Sequence, residues 1–355
     1  YICHFFLCRR SLALDAGGFS PDYDGSQDYD FILKCTEQAR QILHLPRVLY
    51  HWRTHPASTA ENPESKMYCY EAGKRAIEAH LKRTGTEGTV EMLPGYPGYY
   101  HVEYPVEGEP LVSILIPNKD QKETLMNCIR SIQEKSTYRN YEIIIIENNS
   151  ETEGIEDCYR QLEAQGLRVI RWEGPFNYAA INNYGAARAA GEYLLLLNND
   201  TEVIAPGWIE AMLGNCQRPE VGAVGAKLYY EDHTIQHAGV VMKLAGVCGH
   251  VLCGMAGYDP GPFARAIIQQ NYSAVTAACL MVKKSIFQQV GGLAEEFQVA
   301  YNDVDFCLKI RQAGYLIVWN PRAELYHYES KSRGYETTPE KQARFQREKE
   351  LLLQR

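Results

Sequence analysis

Three separated groups of polar residues carry side chains that could act on a sugar nucleotide. Asn198, Asn199 and Asp200 follow directly on four consecutive leucines, where a buried strand must end. A carboxylate at the carboxyl end of such a strand suits a Mg²⁺ or Mn²⁺ ion that also takes oxygens from a diphosphate. Asp303 and His327 lie further along the chain. Together these groups indicate metal-assisted transfer of a sugar from a nucleotide.

Each of these groups has a specific predicted role. Asp303 is the candidate general base, which accepts the proton of an attacking hydroxyl group. Its position at the start of a predicted helix is also typical of a carboxylate that only stabilises the first turn. Asp200 and a neutral His327 are the candidate metal ligands. Asp305 is expected to be a helix cap or an ion-pair partner.

Further polar residues at predicted strand ends could contact the nucleotide. The carboxyl ends of adjacent parallel strands face one crevice, where amides and carboxylates can pair with a pyrimidine and a ribose. The same residue types are equally typical of β–α turns, in which Asn and Asp cap helices. An arginine could hold phosphate oxygens as a fork. The predicted nucleotide-contacting residues are Pro117, Asn118, Lys119, Asp120, Glu147, Asn148, Asn149, Asn183, Asn198, Asn199 and Arg333.

Alternating apolar strands and amphipathic helices predict the scaffold that positions these residues. A β-α-β-α-β-α-β order indicates an α/β fold with a Rossmann-like, mostly parallel sheet that is flanked by helices. In the first part of this fold, strands are predicted at 111–117, 141–147, 169–172 and 193–197, and helices at 121–135, 153–165 and 178–190. In the second part, strands are predicted at 222–229, 239–243, 274–283 and 315–319, and helices at 284–290 and 303–313.

A partial internal repeat predicts the domain organisation. Three segments near the start of the chain, 17–19, 27–31 and 49–51, match 291–293, 302–306 and 325–327. The first copy therefore looks like the C-terminal part of a fold whose nucleotide half should lie upstream of Tyr1, and by itself it is not expected to catalyse. The predicted divisions are a partial domain at 1–84, a linker at 85–109, a complete domain at 110–335 and a C-terminal helix at 336–355.

Composition narrows the class of protein and its partners. The chain has 355 residues, 45% of them hydrophobic, and a net charge of −8, which argues against a nucleic-acid partner. Its eleven cysteines form no Cys-x-x-Cys pair, so free thiols in a reducing cytoplasm are expected. No apolar run is long enough to predict a transmembrane helix. The absence of an initial Met indicates a piece of a longer chain.

The strands Val112–Pro117 and Ile143–Ser150 and the segment Asn182–Thr201 resemble family 2 glycosyltransferases of the GT-A fold. The resemblance covers about residues 110–335 and is strongest to rhamnosyltransferase-like enzymes of bacterial surface polysaccharide and O-antigen synthesis. It implies that Asp200 is the last acid of the Asp-x-Asp metal motif and that His327 is the C-terminal metal ligand. It also implies that Asp303 is the catalytic base, with Asn302 in place of the usual Glu.

The resemblance further implies an inverting, metal-dependent reaction with Mn²⁺ or Mg²⁺. The expected donor is a UDP- or dTDP-sugar, with dTDP-rhamnose as one candidate, and the expected acceptor is a glycan or a lipid-linked glycan. The enzyme would then work in the cytoplasm at the inner face of the membrane. One alternative is a catalytically silent scaffold module that binds sugar nucleotides. A pyrophosphorylase would need a Gly- and Arg-rich loop, whereas 118–123 reads Asn-Lys-Asp-Gln-Lys-Glu.

Overall fold

The computed structural model describes residues 5–51, 67–244, 246–328 and 338–355. The chain separates into two compact units, residues 1–105 and 106–355, which are called here the N-terminal and C-terminal units. Most of the predicted linker at 85–109 therefore belongs to the N-terminal unit. This part of the chain forms a two-stranded antiparallel hairpin. Val90 on the first strand of the hairpin packs against Ile77 and Leu81 of the preceding helix.

The described part of the N-terminal unit contains helices and this hairpin. Phe31 and Cys35 on the second helix pack against Ala16, and Leu33 packs with the hairpin residues. The elements are α1 (Arg10–Asp15), a 3-10 turn (Pro21–Tyr23), α2 (Gln27–Gln38), α3 (Met67–Thr84), β1 (Thr89–Met92) and β2 (Tyr100–Glu103).

The C-terminal unit is built on a ten-stranded sheet. Its strands are β3 (Val112–Asn118), β4 (Tyr141–Glu147), β5 (Arg168–Arg171), β6 (Tyr193–Leu197), β7 (Thr201–Val203), β8 (Val221–Tyr229), β9 (Ile235–His237), β12 (Gln270–Asn271), β13 (Cys279–Lys283) and β14 (Leu316–His327). A separate hairpin pairs β10 (Val240–Met242) with β11 (Cys248–His250). The helices are α4 (Lys122–Lys135), α5 (Ile155–Ala164), α6 (Tyr178–Arg188), α7 (Trp208–Cys216), α8 (Lys284–Gln289), α9 (Asn302–Gln312) and α10 (Pro339–Gln354).

The sheet order β12-β14-β8-β13-β6-β3-β4-β5 confirms the predicted mostly parallel α/β fold. Strands β3, β4, β5 and β6 are parallel to one another, and β14 is parallel to β8, whereas β13 runs antiparallel between β6 and β8. Helices α4, α5 and α7 cover one face of the sheet, and α6, α8 and α9 cover the other. Because both faces are covered, the strands are continuous apolar runs.

The ten cysteines in the described ranges are all free thiols. Within those same ranges, every helix is too short or too polar to cross a bilayer.

The run 274–283 was predicted as one strand, but only Cys279–Lys283 forms it. The preceding three backbone N–H groups bond to side chains instead of a neighbouring strand. Thr276 donates to Nε2 of His237, Ala277 donates to Oδ2 of Asp303, and Ala278 donates to Oγ1 of Thr276. An apolar run of Ala and Val cannot reveal this, because the acceptors come from elsewhere in the chain.

Strand β14 is longer than the predicted 315–319 and continues to His327. Its last residues pair antiparallel with β7, which the sequence analysis did not predict. Helix α7 was also missed. Trp208 at its start is fully buried, and its Nε1–H donates to Ser136 at 2.9 Å.

The C-terminal segment forms a docked helix, α10. Glu348 is almost fully buried, and its carboxylate accepts hydrogen bonds from the backbone N–H groups of Gln298, Val299 and Ala300 at 3.0, 3.3 and 2.7 Å. These residues directly precede α9, so α10 fixes the loop that leads to Asp303.

Gly225 in β8 packs closely against Val275, behind the candidate active site. A Cβ there would come within 2.4 Å of the Cβ of Val275. Gly225→Val is therefore expected to lower the free energy of unfolding by about 1–3 kcal/mol, because an overpacked strand must move. Gly207→Ala is the matched control, since the nearest atom to its new Cβ lies 4.0 Å away. Urea denaturation measures both, and an unchanged midpoint for Gly225→Val would contradict this packing.

Candidate active site

Asp200 and His327 lie side by side at the end of the sheet. Strand β7 begins one residue after Asp200 and pairs antiparallel with the end of β14, in a register that sets Thr201 opposite His327. Oδ1 of Asp200 is consequently 3.2 Å from Nε2 of His327. Asp200 is 4% exposed and His327 is 9% exposed, so the two predicted metal ligands share a nearly buried position.

Gln236 on β9 orients the imidazole of His327. Nδ1–H of His327 donates to Oε1 of Gln236 at 2.6 Å, and the side-chain amide of Gln236 donates back to the carbonyl oxygen of His327 at 3.1 Å. This reciprocal pair fixes the tautomer of His327 and leaves Nε2 to present its lone pair.

The resulting donor set fits a divalent cation. Oδ1 of Asp200 is buried and accepts no hydrogen bond within the described residues. It faces Nε2 of His327, and the side-chain nitrogen of Asn198 lies 3.1 Å from that same nitrogen. The described residues contain no group of three or more His, Cys, Asp or Glu side chains that could hold an ion. A cation here would take its other ligands from substrate oxygens and water, as Mg²⁺ and Mn²⁺ readily do.

Asn118 and Asn199 cross-link the ends of β3 and β6. Oδ1 of Asn118 accepts a hydrogen bond from the amide of Asn199 at 2.6 Å. The amide of Asn118 donates to the hydroxyl oxygen of Tyr159 at 2.8 Å and to the carbonyl oxygen of Asp120 at 2.9 Å. Both asparagines are buried. Their contacts hold the strand ends together beneath the crevice, although both were predicted to contact the nucleotide.

The polar residues after β4 lie beside those of β3. Glu147 is buried and its Oε1 accepts from the N–H of Ser150 at 2.5 Å. The amides of Asn148 and Asn149 both donate to the carbonyl oxygen of Gly174, at 3.2 and 2.9 Å. Oδ1 of Asn148 is buried and has no hydrogen-bond partner in the described ranges. That oxygen is an acceptor available to a ligand at this strand end.

The loop after β3 places Lys119 and Asp120 next to this strand end. Lys119 is exposed and Pro117 is half-buried. Oδ1 of Asp120 accepts from the backbone N–H groups of Glu151 and Thr152 at 2.7 and 2.8 Å. Burial opposes ionisation of Asp120, but the two N–H groups outweigh it and hold the pKa of the carboxyl below its ordinary value.

Asn183 and Arg333 differ from the other predicted nucleotide contacts. The amide of Asn183 donates to the carbonyl oxygen of Leu293 at 2.9 Å, and its Oδ1 accepts from the N–H of Leu293 at 2.9 Å. Both ends of this amide therefore join α6 to the turn that follows α8. Arg333 lies outside the described residues.

Asp303 opens α9 and is held by two backbone N–H groups. Its Oδ1 accepts from Val304 at 2.8 Å and its Oδ2 accepts from Ala277 at 3.1 Å. The side chain is half-buried. Asp305 forms an ion pair with Arg355 at 2.7 Å, as its predicted structural role requires.

The pair Ala277–Ala278 connects the candidate base to the metal strand. Ala277 bonds to Asp303 through its N–H, and the carbonyl oxygen of Ala278 accepts from the N–H of Asn198 at 3.0 Å. The hydroxyl of Tyr178 donates to the carbonyl oxygen of Ala277 at 3.0 Å. Burial first, and then the carboxylates of Asp303 and Asp200, raise the pKa of Tyr178. Tyr178 thus bonds to the same residue that anchors Asp303, and the pair Ala277–Ala278 links Asp303 to the residue that follows β6.

A buried histidine next to Gln236 was missed by the sequence analysis. His237 is fully buried, and its Nδ1 lies 2.9 Å from Nδ1 of His250 on β11. The N–H of Thr276 donates to Nε2 of His237, so Nδ1 carries the proton and donates to His250. Burial, then His250 and His327, lower the pKa of His237 well below its usual value, so this residue is neutral. Residues 235–237 show only the alternation of side chains that is typical of any strand. The sequence therefore gives no sign that Gln236 orients His327 or that His237 is buried beside it.

A mostly parallel sheet with an acid–histidine pair at its carboxyl edge and an aspartate at a helix start is the arrangement expected of a glycosyltransferase of the GT-A type. The model of the glycosyl transferase family 2 domain matches residues 113–291, and the chain belongs to this family. A solved structure of GalNAc-T7 with UDP, GalNAc and Mn²⁺ has the same fold, with a TM-score of 0.55 and 17% identity, over 75% of this chain and 54% of that one.

Two curated relatives are similar over nearly the whole chain. Protein y4gI of Sinorhizobium fredii is 48% identical over 360 aligned residues, which cover 100% of this chain and 40% of that protein. The O-antigen biosynthesis protein RfbC of Myxococcus xanthus is 37% identical over 341 residues, which cover 96% of this chain and 27% of that protein. The chain therefore spans less than half the length of each of these relatives.

The contacts of Gln236 predict how it affects the metal site. Gln236→Leu removes both hydrogen bonds to His327, so the imidazole loses its fixed tautomer. We expect the affinity for Mn²⁺ in the presence of nucleoside diphosphate to fall about 10–100-fold. Isothermal titration calorimetry measures this affinity, and Gln288→Leu on the exposed side of α8 is the control. Unchanged Mn²⁺ affinity in Gln236→Leu would show that Gln236 does not prepare His327 to bind the ion.

Proposed function

We propose that the C-terminal unit transfers a sugar from a nucleotide diphosphate donor to a hydroxyl group of a glycan, with inversion at the anomeric carbon. The donor is a UDP- or dTDP-sugar, with dTDP-rhamnose as the first candidate. The acceptor is a growing surface polysaccharide, free or lipid-linked, and the reaction takes place on the cytoplasmic side of the membrane. The name of the Myxococcus xanthus relative supports O-antigen synthesis as the pathway.

One observation carries this proposal. The Ala277–Ala278 pair bonds on one side to the candidate base Asp303 and on the other side to Asn198, two residues before Asp200. A transferase of this kind needs a base near the acceptor hydroxyl and a cation near the departing diphosphate, on either side of one anomeric carbon. A short rigid connection between the two groups meets that requirement.

In this proposal the strand ends bind the donor. Oδ1 of Asn148 accepts a hydrogen bond from the pyrimidine ring, and Asp120 and Asn149 border the same crevice. Lys119 and Arg333 are assigned to phosphate oxygens, for which their charges suit them. Pro117 and Glu147 shape the crevice wall, while Asn118, Asn199 and Asn183 support it through the contacts described above.

Asp200 and His327 hold the divalent cation. A bound Mn²⁺ or Mg²⁺ would offset the negative charge that develops on the departing diphosphate. The neutral His237 near His327 adds no positive charge that would oppose the ion.

Asp303 acts as the general base. Its carboxylate accepts the proton of the acceptor hydroxyl while that oxygen forms a bond to the anomeric carbon. The bond between that carbon and the diphosphate breaks, and the nucleoside diphosphate leaves from the opposite face, which inverts the configuration. The N–H groups of Ala277 and Val304 hold the carboxylate in position.

The requirement for metal is tested with a panel of UDP-, dTDP- and GDP-sugars. The purified chain with Mn²⁺ or Mg²⁺ is expected to release nucleoside diphosphate from one donor, and Asp200→Ala and EDTA are each expected to abolish that release. Asp232→Ala on an exposed turn is the control. Metal-independent release would contradict the assigned ligands. Tight donor binding without release, even with glycan acceptors present, would favour the silent scaffold module instead.

The role of Asp303 is tested by Asp303→Asn, which is nearly isosteric and keeps one acceptor oxygen but removes the base. We expect kcat for transfer to fall by about 10²–10⁴-fold, with little change in donor KM. Asp157→Asn on the exposed face of α5 is the control. Wild-type kcat in Asp303→Asn would refute the assignment.

A further inference from the structure

The N-terminal unit repeats the local structure around Asp303. Gly17 and Gly18 have φ values of 80° and 66°, and Gly291 and Gly292 have 76° and 64°. In each copy a lysine of the following helix donates to the carbonyl oxygen of the second glycine: Lys34 bonds to Gly18, and Lys309 bonds to Gly292. The sequence repeat is thus also a repeat of conformation and contacts.

The acidic residues at the start of the helix make similar contacts in the two copies. Oδ1 of Asp28 accepts from the N–H of Tyr29 at 2.9 Å, as Oδ1 of Asp303 does from the next residue. Asp30 is fully buried and lies 3.7 Å from Arg83 near the end of α3, just as Asp305 pairs with Arg355 at the end of α10. Asp28 therefore occupies the position of the base.

The segment before α1 lacks the neighbours of its counterpart. Residues 5–9 precede α1 as β13 precedes α8, so Phe5 matches Cys279 and Leu7 matches Met281. Strand β13 lies between β6 and β8, and these two residues are 1% and 0% exposed. In the described N-terminal unit no strand pairs with residues 5–9, and Phe5 and Leu7 are 66% and 84% exposed.

The segment after α2 shows the same difference. Residues 42–51 match β14, with Leu43 at the position of Val318 and Leu49 at the position of Leu325. Val318 and Leu325 are buried on the sheet, whereas Leu43 and Leu49 are 75% and 57% exposed. Phe5, Leu7, Leu43 and Leu49 are called here the exposed apolar set.

The counterparts of the exposed apolar set have one location in common. Cys279, Met281, Val318 and Leu325 all belong to the core cluster between the sheet and helices α4, α5 and α7. By contrast, Phe6 and Cys8, on the opposite side of residues 5–9, pack against Phe31 of α2. The described residues of the N-terminal unit therefore contain no equivalent of the layer formed by β3–β8 with α4, α5 and α7. An uncovered apolar set of this size marks an interaction surface.

We propose that residues 5–51 are the base-bearing half of a second glycosyltransferase domain. Its other half is a nucleotide-binding GT-A sheet on the same polypeptide, ahead of residue 1, which adds strands on both sides of residues 5–9 and covers the exposed apolar set. The curated relatives, of which this chain covers 40% and 27%, are long enough to carry it. Asp28 is the base of this second site, and His51 takes the position of the metal-binding His327. The role of Asp28 rests on the function proposed for Asp303, whereas the docking of the sheet does not.

Hydrogen–deuterium exchange tests the docking without any assay of activity. The 355-residue chain is compared with the full polypeptide that its gene encodes. We expect the amides of 5–9 and 42–51 to exchange at least about 100-fold more slowly in the full polypeptide, because they become paired strands. The amides of β14 are the internal control and should be protected equally in both proteins.

Three results would overturn the docking proposal. One is equal exchange of 5–9 and 42–51 in the two proteins. Another is a gene that encodes no GT-A half ahead of residue 1. The third is protection that arises in the 355-residue chain alone as its concentration is raised, which would identify a second copy of this chain as the occupant.

The second site is tested by comparing Asp28→Asn and Asp303→Asn in the full polypeptide. Each variant is expected to lose a different glycosidic linkage from the product, as measured by mass spectrometry and linkage analysis. If Asp303→Asn abolishes one linkage and Asp28→Asn changes nothing, Asp28 is not a base, although the docking stands. If neither variant changes the product, the function proposed for Asp303 has failed as well.

Discussion

The active site depends on one pairing of backbone, in which β7 runs antiparallel to the last residues of β14. Residues 201–203 form only a short strand, yet their register with 325–327 sets the carboxylate of Asp200 beside the imidazole of His327. Two candidate metal ligands that are distant in sequence thereby meet at the end of a buried strand. Because the ladder is made of main-chain hydrogen bonds, it holds both side chains from beneath and leaves Oδ1 of Asp200 and Nε2 of His327 facing each other.

The candidate base, Asp303, is held in place by irregular backbone rather than by a strand pairing. Residues 276–278 follow the apolar pattern of a strand but donate their N–H groups to His237, to Asp303 and to the side chain of Thr276. Regular pairing at this point would have stabilised the sheet and left Asp303 without its anchor. Irregular backbone next to a functional residue is common for this reason. Helix α10 supplies the second anchor, since Glu348 satisfies three N–H groups of the loop that leads into α9.

The sequence was most informative where a local pattern determines structure. The four leucines before Asn198 predict β6 and its end, and the apolar runs before Asn118 and Glu147 predict β3 and β4, so the edge of the sheet that bears the site follows directly. The pairing of β7 with β14, the two hydrogen bonds from Gln236 to His327, and the anchoring of Asp303 by Ala277 join residues far apart in sequence. No periodicity reveals such contacts, because each depends on tertiary packing. The hairpin in the predicted linker was hidden by its Gly, Pro and Tyr content, which resembles that of a loop.

The presence of a single carboxylate beside His327 has a consequence for how the ion and the donor bind. Under the proposed function, Asp200 is the one carboxylate that binds the ion, and His327 is neutral, so the protein ligands compensate only part of its charge. The diphosphate of the donor brings the remaining negative charge and the remaining oxygens. Metal and donor should therefore stabilise each other at this site, since each supplies what the other lacks. Gln236 supports this arrangement, because a fixed neutral imidazole remains a ligand without adding the positive charge that would weaken the attraction for the ion.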